Sequence, residues 1–379
     1  MRVICYLWAT LLPVYMLLLI PLPVAADGGA PDLAYIAGAG AGVSVLDLIQ
    51  QRISRTLTVP GDPRTLVLSA DGNTLYLTQP TLGRVTALDT ATGRTLCTAQ
   101  VPGQPTTLVL ALVSRVLYAA GPGASSVSVL DATNCTLMHT IHTPSPVYGL
   151  AVALFGTGAD LSDRLWVVGT TTLTIFDQQG HPLASIPVPD GPQDICTPPG
   201  TTLYVTTRQG TVVAVDLVTS HVTHLLSGGP FGRMDYDAIT GQVYVPDLGH
   251  HQLDLLAPVD PATSLPPHEP LRTIALEDAP QAVAITNDGQ LGLIALSNGK
   301  VAMLDVPARQ FIKTFAVGGT PHFIITGLYP SAPPPPSSSG NAQPHPPPLP
   351  LLIAALLLAL GLVLLLVAIG VWRHDRQKI

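Results

Sequence analysis

The amino-acid sequence predicts an all-β fold, a seven-bladed β-propeller closed by its own two chain ends, and three observations carry that prediction. A unit of about 40 residues recurs along the middle of the chain, the size of one four-stranded blade. Each unit holds short apolar or alternating runs, separated by turns, as expected of half-buried strands. With 38 Pro and 34 Gly in 379 residues, turns are favoured over long helices.

The units are read from their second and third strands. Leu33-Ala34-Tyr35-Ile36 leads to Val43-Ser44-Val45-Leu46-Asp47, Leu75-Tyr76-Leu77 to Val85-Thr86-Ala87-Leu88-Asp89, and Leu117-Tyr118 to Val127-Ser128-Val129-Leu130-Asp131. Leu165-Trp166-Val167 precedes Leu173-Thr174-Ile175-Phe176-Asp177, and Leu203-Tyr204-Val205 precedes Val212-Val213-Ala214-Val215-Asp216. The sixth copy, from Val243-Tyr244-Val245, has no Asp at the end of its next strand, Gln252 to Leu256. The seventh lacks the aromatic in Leu291-Gly292-Leu293-Ile294 but regains the pattern in Val301-Ala302-Met303-Leu304-Asp305. The repeated Asp ends a strand and is placed to accept hydrogen bonds from the following turn, so it reads as turn chemistry rather than catalysis.

The count closes on itself. The chain enters the pattern at a second strand, Leu33, and leaves it on a lone first strand, His322 to Gly327. That last strand completes the first blade, which removes free sheet edges. First strands are expected to start near Thr65, Thr107, Tyr148, Gln193, Gly232, Ala282 and His322.

The units resemble the YVTN-type β-propeller repeats of bacterial and archaeal surface proteins. Leu203-Tyr204-Val205-Thr206, Val127-Ser128-Val129-Leu130-Asp131 and Val317-Gly318-Gly319-Thr320-Pro321 carry the resemblance, which spans about residues 33 to 328. It implies the propeller fold and a place at the cell surface or in the periplasm, and leaves the function open.

Two apolar ends frame the repeats. Residues 1–26 read as a signal peptide: Arg2, an apolar run, then Val24-Ala25-Ala26 at the cleavage position. Residues 27–329 form the expected ectodomain, and 330–350 a Pro-rich stalk that reaches about 65 Å if extended. Residues 351–372 carry no charge and span about 33 Å as a helix, enough for one C-terminal transmembrane helix. Arg373, Arg376 and Lys378 in the tail, 373–379, place that tail in the cytoplasm and the propeller outside.

Between Asp27 and Leu349 there are 13 Lys and Arg against 23 Asp and Glu, a net −10 that excludes a phosphate-binding surface and hence nucleic acid. Outside the leader the cysteines are Cys97, Cys135 and Cys196. Three is odd and no C-x-x-C occurs, so all three are expected as buried small hydrophobes, without a disulfide framework or covalent haem.

Propeller ligands sit near the axis, so the candidate binding site is the rim where outer strands cross to the next inner strand: Arg64, Gln193, Asp194, Phe231, Arg233, Gln281 and His322. Loops on the same face add Asp247, His250 and His251. Catalysis at this rim would need a general base and an oxyanion donor, roles open to His322 and Arg64 in a lactonase-like hydrolase. The chain holds just two Glu, Glu269 and Glu277, neither on an inner strand, so the metal-dependent lactonase pattern is missing. No metal site and no cofactor are expected. The sequence therefore favours an externally displayed propeller that binds a protein, a wall polymer or an envelope component. Insertions at 154–164 and 257–270 lie on the opposite face and read as surface loops.

Overall fold

The computed structural model describes residues 32–111, 114–155, 162–198, 200–259 and 269–327. The expected leader, stalk, transmembrane helix and tail lie outside these residues, as do 156–161 and 260–268 of the two insertions. No helix among the described residues is long and apolar enough to cross a membrane.

Seven four-stranded antiparallel sheets form the ring. Their inner strands are Phe323–Gly327 in blade 1, Leu66–Leu68 in blade 2, Thr107–Ala111 in blade 3 and Gly149–Phe155 in blade 4. Pro192–Cys196, Asp235–Tyr236 and Pro280–Ile285 serve blades 5, 6 and 7. The ring closes as the repeat count requires: Phe323–Gly327 pairs with Leu33–Ala39, Tyr35 opposite Ile325.

Burial follows strand position. Middle strands are covered on both faces, as in Ser126–Asp131, because each sheet is sandwiched between two neighbours. Outer strands such as Leu137–His142 are almost wholly exposed and carry polar residues. The apolar side chains form seven clusters, each drawn from two adjacent blades. The recurring aromatic is the anchor of six of them. Tyr35, Tyr76, Tyr118, Trp166, Tyr204 and Tyr244 are all buried, each packed toward the next blade. Blade 7 has Leu293 at the equivalent position, opposite Met303, and both fill the cluster that joins it to blade 1.

The repeated aspartates do what their position suggests. In six turns the carboxylate accepts a backbone N–H two to four residues on: Gln50 to Asp47 at 2.7 Å, Thr92 to Asp89 at 2.7 Å, Thr133 to Asp131 at 2.7 Å, His181 to Asp177 at 2.8 Å, Val218 to Asp216 at 2.7 Å and Ala308 to Asp305 at 2.7 Å. At Asp89 the Thr92 hydroxyl and N–H hold the carboxyl below its ordinary range.

The cysteine expectation is corrected. Cys97 and Cys135 form a disulfide, with a Cα–Cα distance of 5.8 Å, and Cys196 is the buried free thiol. Their separation of 38 residues is close to one repeat, and a shift of one repeat is a step to the neighbouring blade. Cys97 lies on the outer strand of blade 2, Thr95–Gln100, and Cys135 in the turn after Ser126–Asp131 of blade 3. The bond therefore links two blades, while parity had argued against any pair.

Candidate functional site: an axial cavity plugged by an arginine

The inner strand of blade 6 is the irregular one. Six of the seven inner strands begin within two residues of their expected starts; this one begins three residues late and holds just Asp235–Tyr236. Upstream, Gly229, Pro230 and Gly232 break the ladder, leaving Phe231 in an isolated antiparallel bridge to Asp247. A side chain on Gly232 has no room, because its Cβ would run into the Gln281 carbonyl oxygen. Arg233 then pairs in parallel with the blade 7 inner strand: its N–H donates to Gln281 O at 3.0 Å and its carbonyl accepts from Val283 N–H at 3.1 Å.

From that position the Arg233 side chain reaches across the axis. Nε stands 3.2 and 3.1 Å from the two Asp194 carboxylate oxygens, and Nη2 is 3.0 Å from Oδ1. Nη1 donates to the Thr65 hydroxyl at 3.3 Å, and that hydroxyl donates to Thr106 O at 2.7 Å. The guanidinium plane lies over Phe323, 4.4 Å from the ring centroid. One residue of blade 6 is thereby tied to blades 5, 2 and 1, and through Thr65 to blade 3.

Beyond this plug an axial cavity of about 570 Å³ extends along the inner strands to their far ends, reaching Thr197, Ala238, Asn287 and Thr326. Leu68, Val109 and Ile325 are partly exposed apolar side chains on its wall. Asp235 is the acidic group on this wall besides Asp194. Burial pushes its carboxyl up to about 6, against the opposite pull of the Ile285 and Tyr236 N–H groups. The Ile285 N–H donates to Oδ2 at 2.7 Å. Asp235 belongs to no ion pair among the described residues.

The other rim residues do not converge on this space. Gln193 is exposed at the rim, Phe231 is buried between blades 5 and 6, and Gln281 contributes its backbone carbonyl. Arg64 is held by its neighbour Asp62, with Nη2 2.6 Å from Oδ2. His322 sits where the ring closes: Nδ1 is 2.8 Å from Thr320 O and Nε2 is 3.0 Å from Pro63 O. Burial pushes this imidazole below its ordinary value, and the Arg64 charge adds to the effect. Both ring nitrogens face carbonyl oxygens, so neither is open to take a proton from a substrate, and no carboxylate orients the ring. His322 works as a staple between the last strand and the approach to blade 2.

Of the loop residues, Asp247 accepts the His250 N–H at 3.0 Å and faces its Nδ1 at 2.8 Å, which raises the His250 pKa. Among the described residues no group of three or more His, Cys, Asp or Glu is placed to hold a metal ion.

Of the rim residues, Arg233 and Asp194 lie on the lining of this cavity, which runs on to the opposite ends of the inner strands. Thr65, Asp235, Tyr236 and Phe323 were missed. A signal for Asp235 existed: Arg233 and Asp235 put charge at alternate positions of an inner segment flanked by Gly and Pro, where the other copies are apolar or singly charged.

A seven-bladed β-propeller with an axial cavity that has the Arg233–Asp194 ion pair on its lining defines the class. No protein-family model matches the chain, and no curated protein matches it in sequence. Among solved structures, the fold is similar to the periplasmic gluconolactonase of Pseudomonas aeruginosa, with a TM-score of 0.62 and 19% identity over 78% of this chain and 99% of that one. A functionally unknown protein from Desulfotomaculum acetoxidans gives a TM-score of 0.64 and 11% identity, covering 78% of this chain and 99% of its own. Hydrazine synthase of Kuenenia stuttgartiensis gives 0.59 and 16%, covering 74% and 96%. At these identities the likeness is one of fold.

Proposed function

We propose that this chain is a propeller of the YVTN-repeat type, displayed outside the cytoplasmic membrane by a C-terminal helix, whose ligand site is the axial cavity behind Arg233. The observation that carries the binding role is the cavity itself. About 570 Å³ of concave space, in which apolar side chains alternate with polar groups at fixed positions, is within the usual size of small-ligand sites. External display is supported by the apolar end segments, by the basic tail, and by a disulfide between blades, since such bonds persist in oxidising compartments. A wall or envelope component, or a protein tail narrow enough to enter the cavity, is the ligand this reading favours. A hydrolytic role draws no support from the His322 rim, whose nitrogens are both engaged.

The test is a fragment screen of the full chain by ligand-observed NMR, beside an Ala238→Trp variant that narrows the mouth. Hits that vanish in Ala238→Trp support the cavity, and hits indifferent to it refute the assignment. Display is checked separately by a membrane-impermeant amine reagent on intact cells. Lys300 and Lys313 should be labelled without lysis.

A further inference from the structure

The polar groups of the cavity are not equivalent. Arg233 has its guanidinium donors directed at Asp194 and Thr65, and one ring face of Phe323 covers its plane. An anionic ligand would have to displace Asp194 to gain those donors. Asp194 is likewise neutralised by Arg233. Asp235 differs, for it is met by backbone N–H groups and by no cation among the described residues. A half-buried carboxylate on a cavity wall without a counter-charge is an unfavourable arrangement, and a cation placed beside it relieves that penalty. A neutral ligand would leave it in place.

We propose that the axial cavity selects a small organic cation, an ammonium or guanidinium group on an apolar body, with Asp235 as its counter-ion. Tyr236, adjacent in sequence, and the partly exposed Leu68, Val109 and Ile325 supply the surface for the body of such a ligand. The net −10 of residues 27–349 acts in the same direction, since an acidic domain raises the local concentration of cations at its surface. This assignment rests on the cavity being the ligand site, and it adds the sign of the charge and the residue that reads it.

The competing account is that Asp235 serves as an acceptor for the Ile285 N–H and nothing more. Asp235→Asn separates the two, because an amide oxygen preserves that acceptor while removing the charge. The full-length chain in a non-ionic detergent is titrated at pH 7.5 with three probes of one shape: phenethylammonium, 2-phenylethanol and 3-phenylpropionate. The expected result is at least tenfold tighter binding of the ammonium than of the alcohol or the carboxylate. In Asp235→Asn that preference should fall to within twofold, while the melting temperature is maintained or raised, since the variant also removes an uncompensated charge. Equal or tighter binding of the alcohol or carboxylate, abolished by Ala238→Trp, would overturn the cation assignment and leave the cavity standing. Ammonium selectivity that survives in Asp235→Asn would overturn it as well. Failure of all three probes to saturate would remove the cavity reading and the cation assignment together.

Discussion

Blades 2 and 6 come from the same repeat and are put to different use. Blade 2 follows the pattern: its Tyr76 is buried against blade 3, its Asp89 caps a turn, and its inner strand Leu66–Leu68 is apolar wall. Blade 6 keeps the aromatic, Tyr244, and departs elsewhere. Its inner strand is two residues long, its third strand carries the buried Asp254, and Arg233 leaves the ladder to cross the axis. The regular blade supplies shape and the irregular one supplies charge. Regular blades also bring polar groups to the axis, Asp194 from blade 5 and Thr65 from blade 2, and the irregular blade adds the arginine that joins them.

Arg233 is the residue on which the irregular blade depends most. Arg233→Met leaves Asp194 enclosed without its partner and loosens the ties to Thr65 and Phe323, for an expected loss of about 4 kcal/mol. Chemical denaturation of the full chain measures it, and the double variant Arg233→Met/Asp194→Leu should recover most of the loss. If the single variant is neutral, the plug is not structural.

The regular side of the ring is tested at its covalent tie. Cys97→Ser with Cys135→Ser opens a closed loop of about 38 residues between blades 2 and 3, for an expected loss of about 3 kcal/mol. A reducing agent should lower the melting temperature of the wild type and leave that of the double variant unchanged.

Asp254 gives a test of the irregular blade that depends on pH. Burial, with the Asp247 charge beside it, pushes its carboxyl from 3.8 up to about 6, while Gln252 donates to Oδ1 at 2.9 Å and His250 lies near. An acid whose folded pKa is raised binds more protons folded than unfolded between these values. Its penalty is absent below about pH 3.8, grows as pH rises toward 6 and is complete above it. Asp254→Asn should therefore stabilise the chain by about 2 kcal/mol at pH 7.5 and by nothing measurable at pH 3.5. A gain independent of pH would mean that packing, not charge, is responsible.

The smallest effect is expected at the repeated turn. Asp89→Ala removes an acceptor from the Thr92 N–H and hydroxyl at an exposed site and should lower stability by about 1 kcal/mol. A loss as large as that at Arg233 would erase the distinction between turn chemistry and axial chemistry.

The fold was legible because its signals are local and repeated. Tyr76, Tyr118 and Trp166 recur one blade apart, and the alternation in Val127-Ser128-Val129-Leu130 sets strand faces without knowledge of a partner. Closure by Phe323–Gly327 also followed, since a chain that starts on a second strand lacks a first one. The site was legible in part. Arg233 and Asp194 stood out as charges near the axis, yet nothing local shows that one reaches the other across 39 residues or that Thr65, 168 residues away, joins them. His322 stood out for the same reason and proved to be occupied by the carbonyls of Thr320 and Pro63. A backbone acceptor is available everywhere along a chain and leaves no mark in its letters.

The all-β class, the period, the blade count and the structural role of the repeated aspartates are written in the amino-acid sequence. Each of these depends on interactions within a few residues or on a pattern that repeats. Tertiary structure alone decided that Cys97 and Cys135 are bonded, that Arg233 plugs the axis, and that the open space lies beyond it beside Asp235. Those outcomes depend on the closed ring, which brings residues from five blades to one axis and fixes distances that no single repeat encodes.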